Sequence, residues 1–233
     1  MPQTAPLPTY LRIAETLGRD IAAGRLVDGQ RLPPEREMAA GLNVAVGTLR
    51  KALSELETRG LLARRQGSGN YIQASAQPQG IYALFRLEHV SGGGLPTAEV
   101  ISVSREPKPA DLPTFGSGDQ AHRIRRLRRL SGQPASVEEI WLCASYAARM
   151  DRESLSESLY LHYRQHLGLH ITRAEDRIGQ EPLPNWTPDT FPHPPGTPLP
   201  QVQRLSQTAD GTVAEISRNW FDPAVARYVA RLG

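Results

Sequence analysis

Four basic side chains near the N-terminus have the residue types and spacing needed to bind a polyanion. Arg50 and Lys51 lie on the polar side of a helix-periodic stretch, and Arg64 and Arg65 follow just ahead of a glycine-rich turn. An arginine fork can bind the O6 and N7 atoms of guanine together, and either cation can neutralise a phosphate. This arrangement predicts contact with duplex DNA. The alternatives are a small helical domain with solvated charges, or a protein–protein contact.

A second cluster of arginines lies in the segment HRIRRLRRL, residues 122–130, which holds five arginines in nine residues. Read as a strand, the segment puts Arg126 and Arg128 on one face with Ile124, and Glu138 follows on a second strand. A three-residue loop would bring Arg126 opposite Glu138, whereas a two-residue loop would shift the pairing. Guanidinium groups beside a carboxylate can bind an anionic ligand with a polar end, or they can form a salt-bridged sheet surface.

Neither a metal site nor a cofactor is expected. His162, His166 and His170 recur every fourth residue, so His162 and His166 could share a metal if they lay on one helix. Gly168 should end that helix before His170, and no cysteine lies nearby, which favours surface or packing roles for all three histidines. Cys143, the single cysteine of the chain, is expected to be a small core residue on a strand, with a catalytic thiol as the alternative.

The charge of the chain is divided unevenly. Residues 1–73 contain ten Arg and Lys against seven Asp and Glu, whereas residues 74–233 contain seventeen of each, so the whole net charge of +3 lies in the first third. A basic domain joined to a neutral one suggests a polyanion-binding module attached to a second activity. The 233 residues, 39% of them hydrophobic, suffice for two folded domains. The N-terminus resembles no signal peptide and no apolar run has membrane length, which predicts a cytoplasmic protein.

The sequence around the basic residues predicts three helices and a hairpin. Apolar residues at three- and four-residue steps define the first and third helices, and prolines introduce the second. Arg50, Lys51 and Arg59 are expected to face outward from the third helix. Two short strands flank a turn in which Gly67 and Gly69 allow the main chain to approach DNA. The pattern is that of a winged helix-turn-helix, whose third helix fits a major groove about 12 Å wide. The inward residues of that helix are Leu49, Ala52, Leu53 and Leu56.

Domain limits follow from breaks in these patterns. The segment QASAQPQG, residues 73–80, is small and polar without periodicity, so we place a linker at 74–80. The winged helix-turn-helix then covers residues 1–73, and a second domain covers 81–233. The proline-dense stretch 181–200 is expected to be a surface excursion of the second domain with little regular structure.

Residues 8–72 resemble the DNA-binding domain of GntR-type bacterial transcription regulators. The shared features are G-x-L-x-x-G-x-x-L-P-x-E-R from Gly24 to Arg36, the T-[LV]-R-x-A-L-x-x-L recognition helix, and the Q-G-x-G wing. The family usually has Ser or Thr and then Arg at the start of the recognition helix, where this chain has Ala45 and Val46. The preferred operator should therefore differ from the commonest family half-site. With the basic residues above, the predicted DNA-binding residues are Arg36, Thr48, Arg50, Lys51, Arg64, Arg65, Gln66 and Gly67.

Residues 81–233 resemble the effector domain of the HutC subfamily, the UTRA domain, through RIRRLRRLSGQPASVEEIWL, SLSESLYLHYRQHLGLHI and ADGTVAEISRNWFDP. The resemblance implies an α/β domain around a mainly antiparallel sheet, similar to chorismate lyase, with a pocket for a small anionic effector. The family often has Ser or Thr early in the first strand, and IYALF (81–85) has neither. A phosphate ligand is therefore in doubt, and a carboxylate or sulfonate remains open. The residues implied for effector binding are Arg126, Arg128, Glu138, Ser158, Tyr160, Glu215 and Phe221.

Together the two halves predict an α+β, ligand-responsive transcription regulator that is not an enzyme. The leading hypothesis is a repressor that binds a pseudo-palindromic operator as a homodimer and is released by its effector. Effector binding would act through the linker, by favouring one arrangement of the DNA-binding domains. The alternatives are a DNA-binding protein whose second domain has lyase-like or other enzymatic activity, and an architectural DNA binder. An aminotransferase-like domain is excluded, since Lys108 is the only lysine after residue 73.

Overall fold

The described part of the chain forms two compact units, the first between Leu7 and Phe85 and the second between Arg86 and Val229. The predicted linker at 74–80 lies outside the described residues, so the domain limits stay predictions. Of the IYALF segment only Leu84 and Phe85 are described, and neither belongs to a strand. No described helix is both long and apolar enough to cross a membrane. The structure, a computed structural model, describes residues 7–22, 24–73, 84–92 and 96–230.

The first unit consists of three helices and a two-stranded hairpin, which confirms the predicted winged helix-turn-helix. The second helix begins after Pro34, where the missing N–H of a proline costs nothing. The predicted inward side of the third helix is fully buried and forms the centre of the core with residues of the first helix and the hairpin. The elements are α1 (Thr9–Ala22), α2 (Glu35–Gly41), α3 (Val46–Thr58), β1 (Leu62–Arg65) and β2 (Gly69–Ile72).

Arg59 departs from its predicted outward position. It lies just after α3, its side chain is only 8% exposed, and it forms ion pairs with Glu15 and Glu55. Glu15 is itself 2% exposed on the inner side of α1. The prediction is wrong because helical periodicity on α3 carries no information about a buried carboxylate that α1 supplies.

The second unit is built on an antiparallel sheet of six strands in the order β4-β5-β6-β9-β8-β7. A separate ribbon of two strands pairs β3 with β10 over three residue pairs. The mainly antiparallel sheet agrees with the predicted fold class. The strands are β3 (Leu87–His89), β4 (Pro96–Pro107), β5 (Gln120–Leu130), β6 (Gln133–Cys143), β7 (Arg173–Pro182), β8 (Pro198–Gln207), β9 (Val213–Phe221) and β10 (Ala226–Tyr228).

Both faces of the central strands are covered. On one face, Val100 and Ile124 pack against the segment made of α4 (Leu159–His162) and a π-helical turn (Tyr163–Leu167). On the other face, Leu127 packs with an aromatic cluster that includes Trp220. Because successive side chains of a strand point to opposite faces, Arg126 and Arg128 lie on the same covered face as Ile124.

The proline-dense stretch is more ordered than predicted. β7 extends into its beginning and β8 starts at Pro198, so both ends of residues 181–200 belong to the sheet. In the described sheet β7 is an edge strand, where a proline need not break a ladder hydrogen bond. Between the strands, Leu183 and Phe191 are buried in the cluster that contains Trp220. Residues 183–197 contain no helix or strand, as predicted, but Leu183 and Phe191 belong to the core, so the stretch is not only a surface excursion.

Cys143 is the last residue of β6 and is fully buried, as predicted for a small core residue on a strand. Its thiol donates to the carbonyl oxygen of Ser117 at 3.0 Å. The Sγ atom also lies against Gly116, where an added Cβ would come within 2.5 Å of it. Tight packing on this side leaves no room for a substrate next to the sulfur.

Candidate DNA-binding surface and effector site

The exposed side of α3 carries Arg50, whose side chain is 64% exposed and whose Nε donates to Oε2 of Glu35 at 2.7 Å. This hydrogen bond uses one of the five guanidinium N–H groups and leaves both terminal nitrogens for a base edge or a phosphate. The same bond from Arg50 lowers the pKa of Glu35. Glu35 thus orients Arg50, and it was not among the predicted residues, although the glutamate of the L-P-x-E-R motif was an available signal.

The two arginines of β1 have different partners. Arg64 pairs with Glu57 at 3.1 Å and donates to Oγ of Ser54 at 2.8 Å, which fastens the hairpin to α3. Arg65 stacks on Tyr71, with its Cζ 4.4 Å from the ring centroid. Arg64 is therefore held against the protein, whereas Arg65 forms part of the wing surface.

Arg31 is an exposed basic residue of the wing that sequence reasoning missed. It forms an isolated β-bridge with Tyr71 of β2. Its Nε would lie 3.2 Å from a Cβ added at Gly69, a position with a φ of +119° that favours glycine. The guanidinium group thus flanks the hairpin, and no pattern in the sequence brings residue 31 next to residues 69–71.

The remaining predicted DNA-binding residues lie on the same elements. α3 begins after Ala45, which provides no side-chain hydrogen bond to the helix end, in agreement with the missing Ser or Thr. The wing tip has the backbone shape of a glycine turn, with a φ of +72° at Gly67. DNA contact stays a prediction for each residue. Arg36, Lys51, Gln66 and Gly67 are exposed, and Thr48 is half-buried.

The arginine pair of β5 forms a buried cluster with Glu138. Nη2 of Arg126 lies 2.6 Å from Oε2 of Glu138, and Nε of Arg128 lies 2.7 Å from Oε1. The amide nitrogen of Asn219 on β9 donates to the same Oε1 at 2.9 Å. No side chain of the three charged residues is more than 7% exposed, so a salt-bridged sheet surface does not describe this site.

A β-bulge sets the register of this cluster. The loop between β5 and β6 has only two residues, Ser131 and Gly132, yet Arg126 lies opposite Glu138. The expectation that a two-residue loop would shift this pairing is wrong. Ala135 is the extra residue that restores the register, because the pairing steps from Pro134 to Ser136 between consecutive residues of β5.

Two buried carboxyl groups on this face of the sheet have pKa values that are shifted in opposite directions. Burial opposes ionisation of Glu138, but the charges and hydrogen bonds of Arg126 and Arg128 outweigh it and lower its pKa to about 2. Burial raises the pKa of Glu215, although the Tyr163 hydroxyl donates to its Oε2 at 2.6 Å. The charge of Arg126 lowers the pKa of Glu215 as well as that of Glu138, so one guanidinium group acts on both carboxyl groups.

Tyr160 and Ser158 come from the segment that covers this cluster. The Tyr160 hydroxyl lies 2.8 Å from Oγ of Ser206 and 3.4 Å from Glu215, and burial raises its pKa to about 12, so it serves as a neutral hydrogen-bonding group. Ser158 is the N-cap of α4, and its Oγ accepts from the Leu161 N–H at 3.4 Å. Phe221 is buried opposite Ser136 on β6. The structure thus gathers all seven predicted effector residues on or above one face of the sheet, and their contact with a ligand stays a prediction.

Three residues beside the cluster were missed. Arg204 on β8 and Asp176 on β7 form a two-pronged ion pair, with both hydrogen bonds at 2.6 Å. The Tyr228 hydroxyl donates to Oδ2 of Asp176 at 2.5 Å. Arg204 and Tyr228 follow Asp176 in the chain by 28 and 52 residues, and no sequence motif links the three residues.

Comparison with known proteins identifies both units. A profile of the bacterial regulatory proteins of the gntR family matches residues 9–72, and a UTRA domain profile matches residues 91–225. The HTH-type transcriptional regulator SmoD of Agrobacterium fabrum is 59% identical over 226 residues, which cover 97% of each chain. The chain belongs to the gntR family. It is a DNA-binding, ligand-responsive transcription regulator with a helix-turn-helix unit and a UTRA effector domain.

More distant relatives match this chain over most of their length. The transcriptional repressor NagR of Bacillus subtilis is 25% identical over 93% of this chain and 91% of its own. The mannosyl-D-glycerate transport/metabolism system repressor MngR of Escherichia coli is 25% identical over 92% of each chain. The crystal structure of YydK from Bacillus subtilis, a possible transcriptional regulator, matches with a TM-score of 0.54 at 20% identity, over 97% of this chain and 99% of its own. This structural match confirms the α+β fold.

Proposed function

We propose that the protein is a repressor that binds a pseudo-palindromic operator as a homodimer and leaves it when a small anionic metabolite occupies the UTRA domain. The observation that carries the DNA-binding part is the oriented, exposed Arg50 on a helix flanked by a basic wing. One such helix reads only a few base pairs, so two copies about one DNA turn apart supply useful specificity. Repression is supported by the names of NagR and MngR, both repressors. Binding to chromosomal DNA places the protein in the bacterial cytoplasm.

The anionic character of the effector is supported by the cluster around Glu138. Two arginines share one carboxylate there, and an anion that approached them would find two guanidinium groups on the same face of the sheet. Tyr160 and Asn219 add neutral hydrogen-bonding groups suited to the hydroxyl or amine end of a small metabolite. The absence of Ser and Thr in IYALF favours a carboxylate or sulfonate over a phosphate. We infer that the UTRA domain binds this ligand without converting it.

Operator binding is tested by selection from randomised duplex oligonucleotides with the purified full-length protein. We expect one enriched sequence with two inverted half-sites. Arg50→Ala should then weaken binding to that sequence by about 2 to 6 kcal/mol, because each of two half-sites loses a base contact that contributes about 1–3 kcal/mol. Arg149→Ala is the matched control, since Arg149 is an exposed arginine of the second unit, with 83% of its side chain accessible. Equal affinity of Arg50→Ala and the parent protein would refute the assignment of the recognition helix.

The effector is sought by thermal denaturation in the presence of sugar carboxylates, sugar sulfonates and sugar phosphates. A ligand that binds only the folded protein raises the melting temperature in a concentration-dependent way. We expect carboxylates or sulfonates to act and to release the selected operator, and each active compound is recovered and checked for chemical change. Stabilisation by phosphates alone would contradict the predicted ligand class, and turnover of the compound would favour the enzymatic alternative.

A further inference from the structure

A line of polar side chains leads away from the candidate effector residue Tyr160 across the edge of the sheet. Arg204 forms a hydrogen bond with the hydroxyl of Tyr160. The guanidinium group of Arg204 also binds both carboxylate oxygens of Asp176, each at 2.6 Å. Asp176 in turn accepts a hydrogen bond from the hydroxyl of Tyr228 at 2.5 Å. Each contact joins a different element, so the line runs from the α4 segment through β8 and β7 to β10.

The last element of this line is a weak one. Within the described residues β10 pairs only with β3, over three residue pairs, and a two-stranded ribbon is marginally stable by itself. Two further backbone bonds extend the ribbon, from the Val229 N–H to the Arg86 carbonyl at 2.8 Å and from the Val90 N–H to the Val225 carbonyl at 2.9 Å. The ribbon therefore depends on side-chain contacts with the main sheet, and the Tyr228 hydroxyl provides a strong one.

The position of β3 in the chain gives this ribbon its significance. β3 is the first strand after Gln73 in the described residues, and the segment 74–83 connects it to the DNA-binding unit. The segment 74–83 joins the second unit at β3, so a weaker attachment of β3 to the sheet would loosen the point where this segment ends. The ribbon is thus a small element with two states, one attached to the main sheet and one detached from it. A shift between these states would change the preferred arrangement of the DNA-binding units.

We propose that Arg204, Asp176 and Tyr228 are positioning residues that couple the effector site to the β3–β10 ribbon. An anion bound beside Tyr160 competes with Asp176 for the Arg204 guanidinium. When two acceptors share one charged donor, a stronger hydrogen bond to one acceptor means a weaker hydrogen bond to the other. With Arg204 drawn toward the ligand, Asp176 keeps the nearby charge of Arg86 but loses its two hydrogen bonds from Arg204, and the Tyr228 contact loosens. The Arg204–Asp176 pair is 14% and 12% exposed, so this exchange is screened by water far less than at a surface ion pair. The regulatory meaning of this coupling rests on the proposed function, whereas the coupling itself does not.

Hydrogen exchange measured by mass spectrometry on the full-length protein tests the coupling without DNA or effector. Tyr228→Phe removes the hydroxyl and keeps the ring, so we expect exchange in residues 86–90 and 225–229 to accelerate about tenfold, as for a lost hydrogen bond to a charged group. Exchange in β5 and β6 should not change. Tyr146→Phe is the matched control, since Tyr146 is a half-buried tyrosine of the same unit outside this line of contacts.

The decisive measurement perturbs the other end of the line. Tyr160→Phe should alter exchange of the ribbon in the parent protein, and this effect should shrink at least threefold in the Tyr228→Phe background. Asp176→Asn serves in place of Tyr228→Phe if that variant does not fold, and should give the same loss of coupling. If Tyr160→Phe leaves the ribbon unchanged, or acts equally in both backgrounds, the proposal is overturned. A protein that shows this coupling and yet selects no operator would contradict the proposed function alone.

Discussion

At the scale of single residues, two glutamates on one face of the sheet have pKa values shifted in opposite directions because their neighbours differ. Glu138 is surrounded by two guanidinium groups that hold it ionised in spite of burial. Glu215 is buried among hydroxyl groups, which stabilise a carboxylate less than a full positive charge does. Both side chains were predicted as effector residues, and the sequence alone did not distinguish their surroundings.

The first prediction follows from this difference. Glu138→Gln should destabilise the protein by about 3–5 kcal/mol at pH 7, because it leaves two buried guanidinium groups without their counter-charge. Glu215→Gln should leave the free energy of unfolding unchanged or raise it, because a neutral amide avoids the burial of charge that raises the pKa of Glu215. Urea unfolding of the two variants measures both values. A similar loss of stability in both variants would contradict the opposite effects of the surroundings on the two carboxyl groups.

The same groups set the dependence of stability on pH. The pKa of Glu138 is lowered to about 2 from the 4.5 of a free glutamate. Its contribution is therefore complete above about pH 4.5 and is lost as the pH falls toward 2. Unfolding of the parent protein between pH 5 and pH 2 should show this loss, whereas Glu138→Gln, measured beside it, should have a shallower acid dependence. Parallel curves for the two proteins would show that Glu138 is not the group responsible.

Arg31 carries the third prediction at the residue scale. Its guanidinium flanks the wing beside Gly69, where a DNA backbone would run if the wing glycines approach the duplex. Arg31→Ala should weaken operator binding and reduce the slope of log affinity against log salt by about 1 for each lost phosphate contact, hence about 2 per dimer. Titrations at several salt concentrations measure the slope, with Arg149→Ala as the control. An unchanged slope would place Arg31 away from the phosphates.

At the scale of elements, the hairpin depends on a glycine that no other residue replaces without strain. Gly69 has a φ of +119°, and a Cβ added there would lie 3.2 Å from Nε of Arg31, closer than van der Waals contact. Gly69→Ala should therefore distort the wing and weaken operator binding at least tenfold, with little effect on the second unit. Gly179→Ala adds the same methyl group at an open position of β7 and should leave operator binding unchanged. Band-shift titration compares the two variants.

The elements of the first unit were predictable because local patterns dictate them. The three- and four-residue steps of α1 and α3 and the glycines of the wing leave few alternative folds. The second unit was predictable only in part. Strand alternation placed Arg126 and Arg128 on one face, but the bulge at Ala135 and the pairing of Arg204 with Asp176 depend on contacts between distant strands. Helical periodicity likewise hid the burial of Arg59, whose partner Glu15 comes from another helix.

At the scale of the whole molecule, the uneven charge of the chain agrees with a division of labour between two units. The whole net charge of +3 lies in residues 1–73, which contain the winged helix-turn-helix. A positive DNA-binding unit accelerates encounter with DNA, and a neutral effector domain adds no repulsion or attraction of its own. We therefore expect selection between operator sequences to depend on the first unit.

The proposed homodimer gives the last prediction. Sedimentation equilibrium should yield a mass near 51 kDa, twice the 25.6 kDa of the chain. Insertion of about 5 base pairs between the half-sites of the selected operator should weaken binding at least tenfold, because half a helical turn moves the second site to the opposite side of the duplex. Insertion of about 10 base pairs restores the rotational phase and is the control. A mass of one chain, together with indifference to spacing, would exclude the dimer.

The hidden thiol of Cys143 makes this chain well suited to spectroscopy. Since the only native sulfhydryl is closed off by Gly116 and the Ser117 carbonyl, a maleimide dye or nitroxide will label a newly introduced surface cysteine alone. One such label on the wing and another on the UTRA domain would report how far the two parts separate when a metabolite binds. That distance can be followed in solution without first removing any natural reactive group.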